Sequence, residues 1–160
     1  MITSFERGSV EDVMVRSLAK YVDDRGWLCE LFRQDELPEN IWPVMSYVSL
    51  TLPGVARGPH EHVAQWDYFC FFGPGNFKIY LWDRRQDSPS CGKRMVIFAG
   101  ADAPKAIAVP PGVVHAYRNI SLEPGLVFNA ANQLYAGNGR QEPVDEIRWE
   151  GVNDSSFKLD

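Results

Sequence analysis

Histidine and cysteine are the scarcest reactive residues in this chain of 160, three of each. Cys29, Cys70 and Cys91 are odd in number and show no CxxC spacing. That argues against a disulfide scaffold or a cysteine-based zinc site, and for a reducing cytoplasm. Long apolar runs are missing: none approaches the roughly 18 residues a membrane span needs. The first residues, Met1 to Val13, contain no apolar stretch of the signal-peptide kind. Basic charge is not in excess either. Sixteen Lys and Arg against 21 Asp and Glu leave a net charge of −5, a poor start for a nucleic-acid binder. What remains is an ordinary globular balance, 45% hydrophobic and 23% charged, which excludes disordered and collagen-like classes. The length suits one domain, 1–160, with a single covered core.

Short β-branched and aromatic runs fill the middle of the chain. Val44 to Leu52, Trp66 to Phe72, Phe77 to Trp82, Met95 to Phe98, Ile107 to Val109, Val113 to Tyr117 and Leu126 to Ala130 read as strands. Between them lie turn signals such as Pro53-Gly54, Gly73-Pro74-Gly75, Pro110-Pro111-Gly112 and Pro124-Gly125. The pattern predicts an all-β sandwich or barrel of jelly-roll type. The best helix candidate spans Gln34 to Glu39 and is limited by Pro38. Residues 1–22 read as an N-terminal strand or arm, and 150–160 as a tail packed over the barrel or frayed. In the aromatic run from Trp66 to Phe72, alternate members are expected to pack the core and an interface. Neither Gly73-Pro74-Gly75 nor Gly137-Asn138-Gly139 has the strand–helix context of a phosphate-binding loop.

All three histidines fall in two short segments. His60 and His62 lie in Arg57-Gly58-Pro59-His60-Glu61-His62, and two residues apart on a strand they share a face. Asp67 follows five residues after His62. His115 lies in Pro110-Pro111-Gly112-Val113-Val114-His115. The HxH, acid and PxGxxH spacing resembles the paired motifs of the cupin superfamily of small β-barrels. Two chemistries fit. Imidazoles and a carboxylate are good ligands for a divalent transition metal. Alternatively, one histidine acts as a general base while the others orient substrate. Arg25, Arg57, Arg84, Arg85 and Arg118 flank these segments, and a local arginine cluster in an acidic protein suits a phosphorylated small molecule. Asp23-Asp24 beside Arg25, and Asp83 and Asp87 around Arg84-Arg85, also allow plain surface ion pairs.

Taken in order, the motifs resemble the dTDP-4-dehydrorhamnose 3,5-epimerase family. Asp23-Asp24-Arg25-Gly26-Trp27 with Glu30 is similar to its D-x-RG-aromatic segment, and Arg57-Gly58-Pro59-His60 to its RG-x-H. The stretch from Asp83 to Gly92 looks like its D-x-R…SPT-x-G turn, Pro110 to His115 its P-x-G-x-x-H, and Ile147-Arg148-Trp149 its I-x-W. The resemblance implies an all-β cupin-type jelly roll and a homodimer. It implies a nucleotide-diphosphate sugar as partner, with no nucleic acid and no membrane, and a metal-independent epimerisation without cofactor. His60 then falls at the base position and Arg57 would hold the diphosphate. Arg25, Trp27 and Glu30 would reach the nucleotide from the neighbouring subunit. His115 and Arg118 would line the substrate site.

The same alignment shows departures. Read without gaps it places Phe128 at the family's acid tyrosine, leaving Tyr135 as a candidate acid and Tyr117 as another. Asp67 falls where the family carries an enolate-holding lysine, and a carboxylate would repel an enolate. Asp160 is the candidate for the aspartate that pairs with the base. Met45 and Tyr47 occupy positions of polar nucleotide contacts. His62 is additional to the epimerase pattern. Two alternatives follow: a metal-dependent cupin enzyme using His60, His62, Asp67 and His115, or a non-catalytic sugar-nucleotide binder.

Overall fold

The structure is a computed structural model that describes residues 2, 4–152 and 156–160. Its two main sheets face each other across an apolar core. The six-stranded sheet runs in the order β1 (Glu6–Arg7), β9 (Lys93–Gly100), β8 (Asn76–Asp83), β11 (Val113–Asn119), β6 (Ala56–Glu61), β13 (Ile147–Arg148). Its pairs are antiparallel except β1 with β9. The five-stranded sheet runs β2 (Met14–Ser17), β10 (Lys105–Val109), β7 (Asp67–Phe71), β12 (Gly125–Ala131), β5 (Met45–Thr51), all antiparallel. A hairpin of β3 (Lys20–Asp23) and β4 (Gly26–Cys29) pairs with neither sheet.

Strand alternation sorts the side chains into three apolar layers. Phe69, Phe71, Ile107, Val109 and Val127 from one sheet meet Phe77, Ile79, Leu81, Val113 and Tyr117 from the other. On the outer face of the five-stranded sheet, Tyr68, Cys70, Ala106, Ala108 and Ala130 are covered by Leu18, Leu37 and Ile41. On the outer face of the six-stranded sheet, Tyr80, Trp82, Val114 and Ala116 are covered by Phe157. The aromatic run thus divides by alternation, and β7 is buried on both faces.

The expected helix is two separate 3₁₀ turns, Gln34–Glu36 and Glu39–Ile41, because Pro38 removes a donor and restricts Leu37. The N-terminal arm contributes β1 and β2 to the two sheets. The tail packs rather than frays: Phe157 is buried against Trp82 and Trp149. Positions 1 and 3 of that arm and 153–155 of that tail lie outside the described residues. Among the described residues no helix is long and apolar enough to cross a membrane.

The turn after β8 is organised by one buried carboxylate. Asp83 Oδ1 accepts from the Arg85 backbone N–H (3.0 Å) and Arg85 Nε (2.9 Å), while Oδ2 accepts from Arg85 Nη2 (2.9 Å), Ser88 Oγ (2.5 Å) and Ser90 Oγ (2.6 Å). Burial alone would raise the Asp83 pKa, but Arg85 and the two serines pull it down to about 2. The D-x-R…SP segment is therefore a structural turn. Arg84 likewise pairs with buried Glu61 at 2.6 Å and stacks on Trp149.

Candidate active site

β6 and β11 are hydrogen-bonded neighbours, and their register sets His60 opposite His115. Gly58 makes this approach possible: its φ is +82°, and a Cβ there would lie 2.5 Å from the His115 carbonyl oxygen. The ring centroids of His60 and His115 are 4.3 Å apart, His60 and His62 5.7 Å, and His62 and His115 6.0 Å. The shared face expected of the HxH segment is observed. Asp67, at the start of β7 on the facing sheet, completes the group: its Oδ2 lies 3.1 Å from His62 Nε2 and 3.3 Å from His115 Nε2.

Each member is held by its surroundings. His115 Nδ1 donates to the Val113 carbonyl (3.0 Å). His62 Nδ1 donates to the Asp145 carbonyl, and the Asp145 carboxylate accepts the backbone N–H groups of Val63, Ala64 and Gln65 at 2.8–2.9 Å. Asp67 Oδ1 accepts from Asn129 Nδ2 (2.7 Å) and Gln65 Nε2 (2.9 Å). His60 differs, because among the described residues neither of its ring nitrogens has a hydrogen-bond partner.

The charges follow from these contacts. Burial, and then the neighbouring His115, push the His60 pKa down to about 2, so its ring is neutral. Burial also opposes charge on His62, but the Asp67 carboxylate and the Asp145 carbonyl outweigh it and hold the His62 pKa above its ordinary value. Against the same burial effect, the imidazoles of His115 and His62 hold Asp67 well below the usual carboxylate range. The repulsion expected between Asp67 and an enolate is thereby answered. Two amides and two imidazoles surround the carboxylate, and its charge is directed at His62.

A cavity of about 940 Å³ opens over His60 and His62, a size that suits a small ligand. Arg57, Tyr117 and Tyr135 line it, as do Met45 and Tyr47. Arg57 is anchored by Nε to Thr51 Oγ1 (3.1 Å) and Nη2 to the Leu50 carbonyl (2.7 Å). Arg148, which the sequence reading passed over, is the second arginine of the lining and pairs with Glu146 at 2.8 Å. The Tyr117 hydroxyl is engaged with Ser49 Oγ at 3.0 Å.

Other sequence expectations fall elsewhere. Asp160 does not pair with His60. It is held by Lys78 (3.0 Å) and Arg94 (2.6 Å) on the outer face of the six-stranded sheet, whereas the histidines face inward. Phe128 also points outward, packing with the covering layer of the five-stranded sheet. Its neighbour Asn129 faces Asp67, because successive strand residues face opposite ways. By the same alternation Arg118, next to inward-facing Tyr117, is outside the cavity lining. Arg25 pairs with Asp23 on the exposed hairpin, Trp27 stands edge-on to Phe72, and Glu30 lies 3.8 Å from Arg33. None of these three lines the cavity of its own chain. Asp145, Asn129, Gln65 and Arg148 are the residues that sequence reasoning missed. Asn129 alone had a usable signal, the alternation within Leu126 to Ala130.

The sequence profile of the dTDP-4-dehydrorhamnose 3,5-epimerase family matches residues 7–152. A probable low-salt glycan biosynthesis epimerase of Haloferax volcanii is 37% identical over 128 residues, 79% of this chain and 81% of that protein. A spore coat polysaccharide biosynthesis protein of Bacillus subtilis is 33% identical over 141 residues, 88% of this chain and 91% of that one. Among solved structures, a dTDP sugar isomerase from Desulfovibrio desulfuricans superposes with a TM-score of 0.79 at 20% identity, covering 94% of this chain and 91% of that chain. The profile match over most of the chain, the two relatives and the shared cupin-type jelly roll agree: this chain belongs to the dTDP-4-dehydrorhamnose 3,5-epimerase family, a family of sugar-nucleotide epimerases.

Proposed function

We propose that the protein inverts C3, C5 or both in a nucleotide-diphospho-4-keto-6-deoxyhexose, with His60 as the base. The observation that carries this reading is the neutral ring of His60, without a hydrogen-bond partner among the described residues, at a cavity of substrate size. A 4-ketone acidifies the protons on its flanking carbons. His60 takes one of them, an enolate forms, and reprotonation from the opposite side inverts the centre. His60 has little affinity for a proton in the free protein. An enolate a few ångströms away is the opposite charge that restores that affinity, so the imidazolium forms only alongside its product. The reaction is redox-neutral proton transfer and calls for no electron carrier. Arg57 and Arg148 hold the diphosphate, and His115 packs behind the base.

Tyr135 is the candidate acid, and its N–H is tied to Met45 Sδ (3.0 Å) at the cavity wall. Tyr135→Phe is expected to lower net inversion at least tenfold while leaving solvent-deuterium wash-in at the unreacted centre. If wash-in and inversion fall together, Tyr135 is not the acid.

The reading extends to a homodimer in the reducing cytoplasm. Tyr21, Val22 and Leu28 on the hairpin, and Val48 and Leu50 on edge strand β5, are all more than half exposed, an apolar surface that a second copy would cover. In that arrangement the partner's hairpin brings Arg25, Trp27 and Glu30 to the nucleotide. Light scattering should give twice the chain mass, and Arg25→Ala should weaken nucleotide binding with the dimer intact. A monomer that still turns over would refute the arrangement. All three cysteines are free thiols.

The central test uses solvent deuterium and 4-keto-6-deoxy sugars on several nucleotides. Label at C3 or C5 supports the proposal, and no label with any of them sinks it.

A further inference from the structure

Four potential ligand atoms, one each from His60, His62, Asp67 and His115, lie within 4.8 Å of one another. Their orientation is fixed by bonds made on the far side. The Nδ1 atoms of His62 and His115 each face a backbone carbonyl, which cannot donate, so each Nδ1 carries the hydrogen and each Nε2 presents a lone pair inward. Asp67 Oδ1 takes the amide hydrogens of Gln65 and Asn129, which leaves Oδ2 aimed at those two lone pairs. Asp67 and His115 are 2% and 3% exposed, and among the described residues neither Asp67 Oδ2 nor His115 Nε2 has a hydrogen-bond partner.

The Gln65 amide nitrogen reaches His62 Nε2 at 3.2 Å, but Asp67 Oδ2 and His115 Nε2 face each other at 3.3 Å with no donor between them; buried acceptors placed so repel, and a cation belongs there. A single proton can bridge only one of the 3.1 and 3.3 Å contacts at a time. A metal ion serves both, and His60, whose ligand atom lies within 4.8 Å of the others, would join it by a small inward shift of its ring. The two Asp67 contacts, 3.1 and 3.3 Å, agree with such an ion: with bonds of about 2.1 Å, ligand atoms stand about 3.0 Å apart around an octahedral ion and about 3.4 Å around a tetrahedral one. Three imidazole nitrogens and one carboxylate oxygen select a first-row divalent transition ion over magnesium or calcium.

We propose that His60, His62, Asp67 and His115 form a binding site for one divalent transition-metal ion. The proposal rests on this geometry and goes beyond the epimerase reading, with which it intersects at one atom. The lone pair that His60 would give to a metal is the one it needs as a base, so the metal-bound and proton-transferring states exclude each other.

The test uses the full chain stripped with a chelator, titrated separately with zinc and with cobalt(II). The expected result is one equivalent of either ion, with cobalt absorption bands of a nitrogen–oxygen site. Binding is expected to weaken at least a hundredfold in Asp67→Asn and in His62→Gln, each checked for folding by circular dichroism. Zinc at saturation is expected to lower deuterium exchange at least tenfold. No binding to folded wild type, binding that survives both substitutions, or thiolate-to-cobalt charge-transfer bands would each overturn the site. Exchange that is unaffected at one bound equivalent would remove His60 from it. The epimerase reading fails separately, if metal-free protein exchanges no label.

Discussion

His60→Ala is expected to lower deuterium incorporation into a 4-keto-6-deoxy sugar nucleotide by about 10²–10⁴-fold, the usual contribution of a positioned acid–base group. The imidazole makes no hydrogen bond to the described residues, so its loss leaves no buried partner unsatisfied and folding should be nearly unaffected. Separating these effects is the strength of the experiment. Melting temperature reports the barrel, and label at C3 and C5 reports the base. Binding of the nucleotide sugar should persist, because Arg57 and Arg148 are untouched. A folded His60→Ala protein that exchanges at the wild-type rate would move the base elsewhere in the cavity.

Asp83→Ala is expected to destabilise the fold by about 3–5 kcal/mol, the range found when one partner of a buried ion pair is removed. In a chain of this size that is a fall in melting temperature of roughly 10 °C. The cause is specific. Removing the carboxylate takes from the Arg85 guanidinium, 22% exposed, its buried partner, leaving it Asp12 (3.1 Å) and the Glu11 carbonyl (2.8 Å), and it takes from the Ser88 and Ser90 hydroxyls their shared acceptor. The same group sets an acid limit. The folded-state pKa of Asp83 is lowered to about 2 from 3.8, so the ionised form is favoured by folding. Its stabilisation, about 2 kcal/mol from that difference, is fully present above pH 3.8 and is lost as pH falls through about 2. Denaturant unfolding of wild type and Asp83→Asn across pH 2–6 checks the sign: the gap between them should close toward the acid end. A constant gap would show that the carboxylate's charge contributes nothing.

How far the site was legible depended on whether a residue acts through local spacing or through a distant strand. His60 and His62 were readable because two-residue spacing fixes a common face wherever the strand goes. His115 was readable through its turn, Pro110-Pro111-Gly112. Asp160 and Phe128 were misread for a related reason: in a β-protein a side chain is defined by its face as well as its position, and one step inverts it. The ungapped frame therefore weighted Phe128 when the inward residue is Asn129. It also gave Asp160 a catalytic partner when the tail brings it to Lys78 and Arg94 on the opposite face. Asp145 carried no signal, since its role of capping three backbone N–H groups 80–82 residues away exists only once the chain has closed.

The sequence by itself determined the strands and turns, the layered all-β class, the family and the segments that carry the histidines. Each of these follows from local pattern: side-chain period, glycine and proline punctuation, and motif spacing. Tertiary structure alone decided the electrostatic state of the site. Burial and His115 make His60 neutral, while Asp67, held by Asn129 and Gln65, and the Asp145 carbonyl raise the proton affinity of His62. Those effects come from desolvation and from contacts between residues far apart in the chain, and no local pattern encodes them.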